Sequence, residues 1–172
     1  MKLRSSLLVL AAVFGFACVT NADQSPIKIS IEKSNKTESN IKEKSHTERR
    51  SLKITLSNSS KEDVSVKVKY TWFGHAVSGH DVVIVDQGDK DATVKASASE
   101  VVETAPTSVS YTDAHFDAAS KKKVDATGNK IVGYAVQVMV GDKEVAADYD
   151  PASMKDQVGK AVVAKKEEPK KK

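Results

Sequence analysis

Four histidines, His46, His75, His80 and His115, are the side chains of this 172-residue chain best suited to proton transfer or metal ligation. His75 and His80 bracket one polar segment that ends at Asp81, while Asp113, His115 and Asp117 crowd a second. Brought together at one end of a fold, those segments would make a metal site of imidazoles and carboxylate. The plainer reading is polar loop residues in water, and it is the expectation taken here: no metal, no cofactor and no catalytic residue. No serine stands in a Gly-x-Ser-x-Gly elbow, and Gly128 and Gly133 precede no helix that would hold a phosphate. Composition alone selects no Ser-His-Asp triad. A sugar platform needs exposed aromatics, and Tyr70, Trp72, Tyr134 and Tyr149 fall on faces assigned below to a core. Phe73, Tyr111 and Phe116 remain as platform candidates, although core packing is the expected role of the aromatics generally.

The elements that must position these residues are strands. Lys130–Tyr149 reads as two β-rich arms joined at Gly141-Asp142, a strong hairpin signal. In the first arm Val132, Tyr134, Val136, Val138 and Val140 share one face. Ile131, Ala135 and Met139 make the other face apolar as well, which suits an interior strand. In the second arm Val145, Ala147 and Tyr149 point inward. Such a hairpin needs further strands to cover it. Ile27, Ile29 and Ile31 mark a half-buried first strand, the expected sheet edge, where a proline at Ser30 should remove a free backbone donor. The polar Ser34–Arg50 stretch reads as a solvated loop or as a pair of long, exposed strand extensions, the second slightly favoured because so long a structureless loop is uncommon in a compact domain. Leu52, Ile54 and Leu56 mark the second strand, and Val64 to Trp72 the third, with the cleanest period-2 pattern in the chain.

Val82–Val85 is a short strand, with a turn expected at Gln87-Gly88-Asp89-Lys90. Thr93–Thr104 is β-prone with a break expected at Ala96–Ser99, and Ser108–Thr112 follows Pro106. Asp113–Asn129 reads as a loop or short helical insertion. Asp150 and Pro151 look like the cap and first position of a short helix. Seven to eight strands and one short helix predict an all-β, immunoglobulin-like antiparallel β-sandwich.

The N-terminus has the pattern of an export signal. Lys2 and Arg4 precede an apolar core, Leu7–Cys18, that is short for a spanning helix. Thr20-Asn21-Ala22 places cleavage after Ala22. Cys18 is the only cysteine. Gly15 stands where lipidation sites usually carry leucine, so soluble export is expected, leaving no disulfide. The organisation is then 1–22 signal peptide, 23–159 sandwich domain and 160–172 disordered lysine-rich tail. Removing Lys2 and Arg4 lowers the net charge from +4 to +2. Six lysines and two glutamates in 160–172 carry +4, so the body is about −2. That tail is either solvated or held near an anionic envelope surface. A body of this charge, without a basic stripe of interleaved aromatics, is no nucleic-acid surface.

The run LKITLSNSSKEDVSVKVKYTWFG from Leu52 to Gly74, followed by GNKIVGYAVQVMVGDKEVAADYDPASM from Gly128 to Met154, resembles a group of small exported bacterial proteins. Each carries one immunoglobulin-like or fibronectin-like β-sandwich, and the similarity extends to an outer-membrane immunoglobulin-like protein linked to type IV pili. The resemblance implies a periplasmic, outer-membrane or surface location. Its motifs are strand, turn and helix-cap residues, so it implies no catalytic residue. The expectation is an exported, non-enzymatic structural or adhesion protein of the cell envelope, with envelope or surface proteins, or its own copies, as partners. The alternative is a secreted module binding a carbohydrate or a metal.

Overall fold

The computed structural model describes residues 25–117 and 119–164. The signal segment with Cys18, and the tail from Lys165 onward, lie outside the described residues. Among the described residues eleven strands form in chain order: β1 (Ile27–Asn40), β2 (Ser45–Asn58), β3 (Val64–Ala76), β4 (Val82–Val94), β5 (Ser99–Glu103), β6 (Thr107–Thr112), β7 (His115–Asp117), β8 (Lys122–Val124), β9 (Thr127–Val140), β10 (Lys143–Asp150) and β11 (Val162–Val163). A 3-10 helix spans Ala152–Gln157. The first layer is β1-β2, with β5 and β6 following one another along the far edge of β2. The second is β10-β9-β3-β4-β11, and the pairs Tyr111↔Gly128 and Thr112↔Thr127 join the layers. This is an all-β sandwich with immunoglobulin-like connectivity. One departure from the antiparallel expectation is β11, which runs parallel to β4.

The core lies between the layers because the period-2 faces of β1, β2, β3 and β9 meet there. Leu52, Ile54 and Leu56 from β2 pack with Val66, Val68, Tyr70 and Trp72 from β3 and with Tyr134, Val136 and Val138 from β9. Ser34–Arg50 forms the strand extensions of β1 and β2 joined by a turn at 41–44, the expected break falls at 95–98 with Ser99 already in β5, and Gly141-Asp142 turns the β9–β10 hairpin with Gly141 at φ 57. That left-handed value is cheap only for glycine.

Other expectations are corrected. Gln87–Lys90 is no turn, since β4 runs straight through it opposite Val68–Thr71 of β3. The Asp113–Asn129 stretch is not helical; it contains the β7–β8 hairpin and the start of β9. The single-face assignment of β9 fails at its N-terminal end. Phe73 pairs with Gly133 but Gly74 with Ile131, so Val132 is an extra residue in the ladder. Such a bulge inverts the side-chain alternation. Ile131 therefore joins the inter-sheet core and Val132 turns outward. A matching bulge places Val145 between Glu144↔Met139 and Ala146↔Val138, which turns Ala146 and Asp148 inward and Ala147 and Tyr149 outward. Tyr134 shows the inversion directly: its hydroxyl donates to Asp148 at 2.7 Å.

The outer face of the second layer has its own small core. Phe73, Ile84, Ala135 and Met154 are buried there, with Val132, Tyr149 and Val158 packed against them. The 3-10 helix lies over this face, and β11 closes part of the β4 edge. Pro151, not Asp150, occupies the helix N-cap position and makes no side-chain cap bond. The Asp150 carboxylate instead pairs with Lys33 across the sandwich, which is why it does not cap. Val162 and Val163, placed by the sequence in the tail, are strand.

Burial, then the hydrogen bond to Asp148, pushes the Tyr134 hydroxyl far above the ordinary tyrosine range, and burial raises Tyr70 as well. The unfolded tyrosine ionises near pH ~10. Both groups therefore contribute stability that is fully present below pH ~10 and is lost as pH rises further. Urea midpoints should be flat from neutral pH to about 9 and fall steeply beyond, with Tyr134→Phe flattening the fall. The same variant should cost about 1 kcal/mol at neutral pH for the lost hydrogen bond. An alkaline limb unchanged in Tyr134→Phe would show that Tyr134 does not govern it.

Candidate functional site

At one end of the sandwich the register sets Ser39 of β1, His46 of β2, Tyr111 of β6 and Gly128 of β9 in one row. His46 continues the inward face of Leu52, Ile54 and Leu56 backward along β2, through Arg50 and the buried Glu48, which accepts from Arg50 Nη2 at 3.1 Å. Gly128, at φ 89, is required where the layers cross, because a Cβ there would lie 2.2 Å from the Ser110 carbonyl oxygen.

Both nitrogens of His46 are engaged. Nδ1 lies 2.8 Å from Ser39 Oγ and Nε2 lies 3.0 Å from Asp113 Oδ2. The ring stacks on Tyr111, with centroids 4.8 Å apart. The Lys130 Nζ lies over the Tyr111 ring at 4.2 Å from its centroid and 3.7 Å from Asp113 Oδ1. A cation over an aromatic face beside a carboxylate is a mutually reinforcing arrangement.

This is a Ser-His-Asp alignment that the sequence alone did not select, and its geometry argues for a clamp. Ser39 lies in the regular β1–β2 hairpin and not on a strained elbow. Acyl transfer needs preorganised donors at the developing oxyanion and a cleft to hold substrate. Three shallow grooves among the described residues lie away from the row, against Glu32, Lys53 and Glu103, against Thr71, Gln87 and Gln137, and against Lys67, Asp91 and Gly141. What the row does is tie the β1–β2 hairpin to the β6–β7 junction, reinforced by the Asp113 N–H donating to the Lys44 carbonyl at 3.0 Å.

The two segments singled out by their histidines do reach the same end. His75 pairs with Lys130 in the β3–β9 ladder, and Val77 N–H donates to the Gly128 carbonyl at 3.0 Å. Each histidine engages its own backbone instead. His75 Nδ1 lies 2.9 Å from the Ala76 carbonyl oxygen, and His115 Nδ1 lies 2.9 Å from that of Asp113. Asp113 is held by His46 and Lys130. The Asp117 carboxylate is held below the usual range, first by the Ser120 hydroxyl and then by the Ala119 N–H. Among the described residues no group of three or more His, Cys, Asp or Glu side chains is placed to hold a metal ion.

Of the three platform candidates, Phe73 takes the core role expected of the aromatics generally: it is 0% exposed under the 3-10 helix. Tyr111 is covered by His46 and Lys130, and Phe116 stands 67% exposed on β7. His46 was missed as a site residue because the Ser34–Arg50 stretch reads as solvated. Extending the alternation of Leu52–Leu56 backward by three steps was the available signal.

No family model matches the chain, and no curated protein matches it. Among solved structures, the chain is similar to a Bacteroides fragilis protein described as a beta-galactosidase, at 12% identity and a TM-score of 0.41 over 69% of this chain and 15% of that one. A beta-glucuronidase from Bacteroides uniformis aligns at 12% identity and a TM-score of 0.40, covering 69% of this chain and 12% of its own. The chain thus spans about a seventh or less of the length of those two relatives. A structure from the Northeast Structural Genomics Consortium aligns over 87% of this chain and 94% of its own, at 11% identity and a TM-score of 0.38.

Proposed function

We propose that this protein is an exported, non-enzymatic β-sandwich of the cell envelope that holds protein partners along the outer edge of β1. One observation carries the reading: β1 is a 14-residue strand paired on one side only, with β2, among the described residues. An unpaired edge of that length offers a row of directional backbone hydrogen bonds to an added strand. The signal-like N-terminus and the resemblance to outer-membrane immunoglobulin-like proteins support the compartment. The regular-strand setting of Ser39 and the occupied ring nitrogens of His46 support a structural use of the one triad-like row.

The ladder fixes which donors are free. Ser59 N–H donates to the Pro26 carbonyl at 2.9 Å, and the β1–β2 register then runs without a shift. Antiparallel pairs alternate, so Ser30 exchanges both bonds with Thr55, while Ile31, Lys33 and Asn35 direct theirs outward. The expectation that proline at Ser30 removes a free donor is therefore corrected, since that N–H belongs to the sheet. Asn35→Pro removes an outward donor beneath an exposed side chain. The variant should melt within a few degrees of the wild type yet lose self-association in sedimentation, or co-purification with envelope fractions. If Asn35→Pro leaves both intact while replacing the lysines of 165–172 by glutamine releases the protein, the edge is not the contact.

A further inference from the structure

We propose that the end of the sandwich formed by the β1–β2 turn and the β7–β8 hairpin docks onto an anionic lipid surface, with Ile41 and Phe116 inserted among the headgroups and Lys42, Lys44, Lys121 and Lys122 against the phosphates. This is a second contact, separate from the β1 edge. Ile41 is 79% exposed at the turn after β1, and Phe116 is 67% exposed on β7. They are the most exposed isoleucine and phenylalanine side chains among the described residues. The two tips are neighbours by construction: the Asp113 N–H bonds the Lys44 carbonyl, and β7 begins two residues later. The His46–Asp113–Lys130 row lies behind them and fixes their relation.

Charge follows the same division. The two tips, residues 41–44 and 117–125, carry five lysines against Glu43, Asp117 and Asp125, a net of +2, on a body whose net charge is about −2; the 77–81 turn at the same end adds Asp81, and Asp113 there is held by His46 and Lys130. Lys42, Lys44, Lys121 and Lys122 are exposed and make no ion pair among the described residues, whereas Lys123 is 3.6 Å from Asp125. At the opposite end, the turns 59–63, 95–98 and 141–142 set Lys61 and Lys95 against Glu62, Asp63 and Asp142, with no large apolar residue in any of them. An apolar side chain at each of two tips, ringed by unpaired lysines, is what an interfacial surface needs. The lysines are attracted to anionic headgroups, and the apolar tips gain by entering the acyl boundary. A purely electrostatic partner, such as an acidic polysaccharide, gives Ile41 and Phe116 nothing to enter.

Co-sedimentation of the full chain with vesicles of phosphatidylcholine, alone or mixed with phosphatidylglycerol, tests the proposal. The apolar Leu7–Cys18 stretch contributes equally to every variant, so differences between variants are what is read. Binding should be stronger to the mixed vesicles and weaken as salt is raised. Ile41→Ser combined with Phe116→Ser should weaken it by about tenfold or more, because the apolar area is lost. Lys121→Glu with Lys122→Glu should remove the preference for anionic vesicles. All four positions are exposed, so melting temperatures should stay at the wild-type value. Equal binding to both vesicle types would overturn the proposal. So would wild-type binding by both double variants, or loss of binding on changing only the lysines of 165–172 to glutamine. Full competition by polygalacturonate, with no effect of the Ile41 and Phe116 substitutions, would replace the lipid surface by a polysaccharide.

Discussion

Replacing Trp72 by alanine is expected to cost about 3–5 kcal/mol, the range for truncating a buried large aromatic. Trp72 is 1% exposed and packs edge-on against Tyr134, with ring centroids 5.7 Å apart and planes at 69°. It sits where β3 meets both neighbours at the bulges, paired with Asp86 of β4 and Tyr134 of β9. A collapse into the void would have to move ladder residues in both strands, so little of the cavity can be relieved. The indole Nε1 is the single buried side-chain nitrogen or oxygen among the described residues that lacks a hydrogen-bond partner. An orphaned donor costs roughly 1–3 kcal/mol, so Trp72→Phe, which removes it, should cost far less than Trp72→Ala. Urea denaturation at constant m-value gives both numbers. As the only tryptophan, Trp72 should also emit at a blue-shifted wavelength. Emission like that of the free amino acid, with little stability lost in Trp72→Ala, would move the residue to the surface.

That residue was legible in the sequence because Val64 to Trp72 alternates without interruption, and period-2 burial is a local property. The β9–β10 turn was legible for a similar reason: Gly141-Asp142 is turn chemistry in two adjacent residues. Loop length only tilted Ser34–Arg50 toward strands, and the loop stayed open until the β1–β2 ladder settled it. What escaped was set by tertiary partners. A bulge adds one residue to one strand, and Val85, Val132 and Val145 are β-branched residues indistinguishable from their neighbours in the ladder. Their effect, the inversion of faces beyond each, needs the partner strand to be seen. What covers Phe73 was not legible, because Met154 arrives from about eighty residues later in the chain. The row at His46 was hidden in the same way: Asp113 and Lys130 come from different strands, and only the common register assembles them.

Gly133→Ala should be the most destabilising single-methyl change in the chain outside the left-handed glycines. A Cβ at Gly133 would lie 2.2 Å from the Asp150 carbonyl oxygen, 2.9 Å from Pro151 Cδ and 3.0 Å from Met154 Cγ. The nearest obstacle is backbone, so no rotamer change relieves it, and β10 or the 3-10 helix must lift. Lifting the helix withdraws Met154 from Phe73, Ile84 and Ala135 and so opens the outer core. Overpacking costs about 1–3 kcal/mol on its own, and uncovering that cluster should carry the total to about 3 kcal/mol or more. For a domain of this size that lowers the melting temperature by roughly 10 °C. Gly79→Ala is the control: nothing lies within 4 Å of its added Cβ, so the change should be neutral or slightly stabilising through the unfolded chain. Amide exchange should localise the damage, with protection lost first across Met154–Ala161 while Leu52–Leu56 keeps the protection of the global core. A Gly133→Ala protein melting with the wild type and exchanging like it would mean that the helix does not rest on β9.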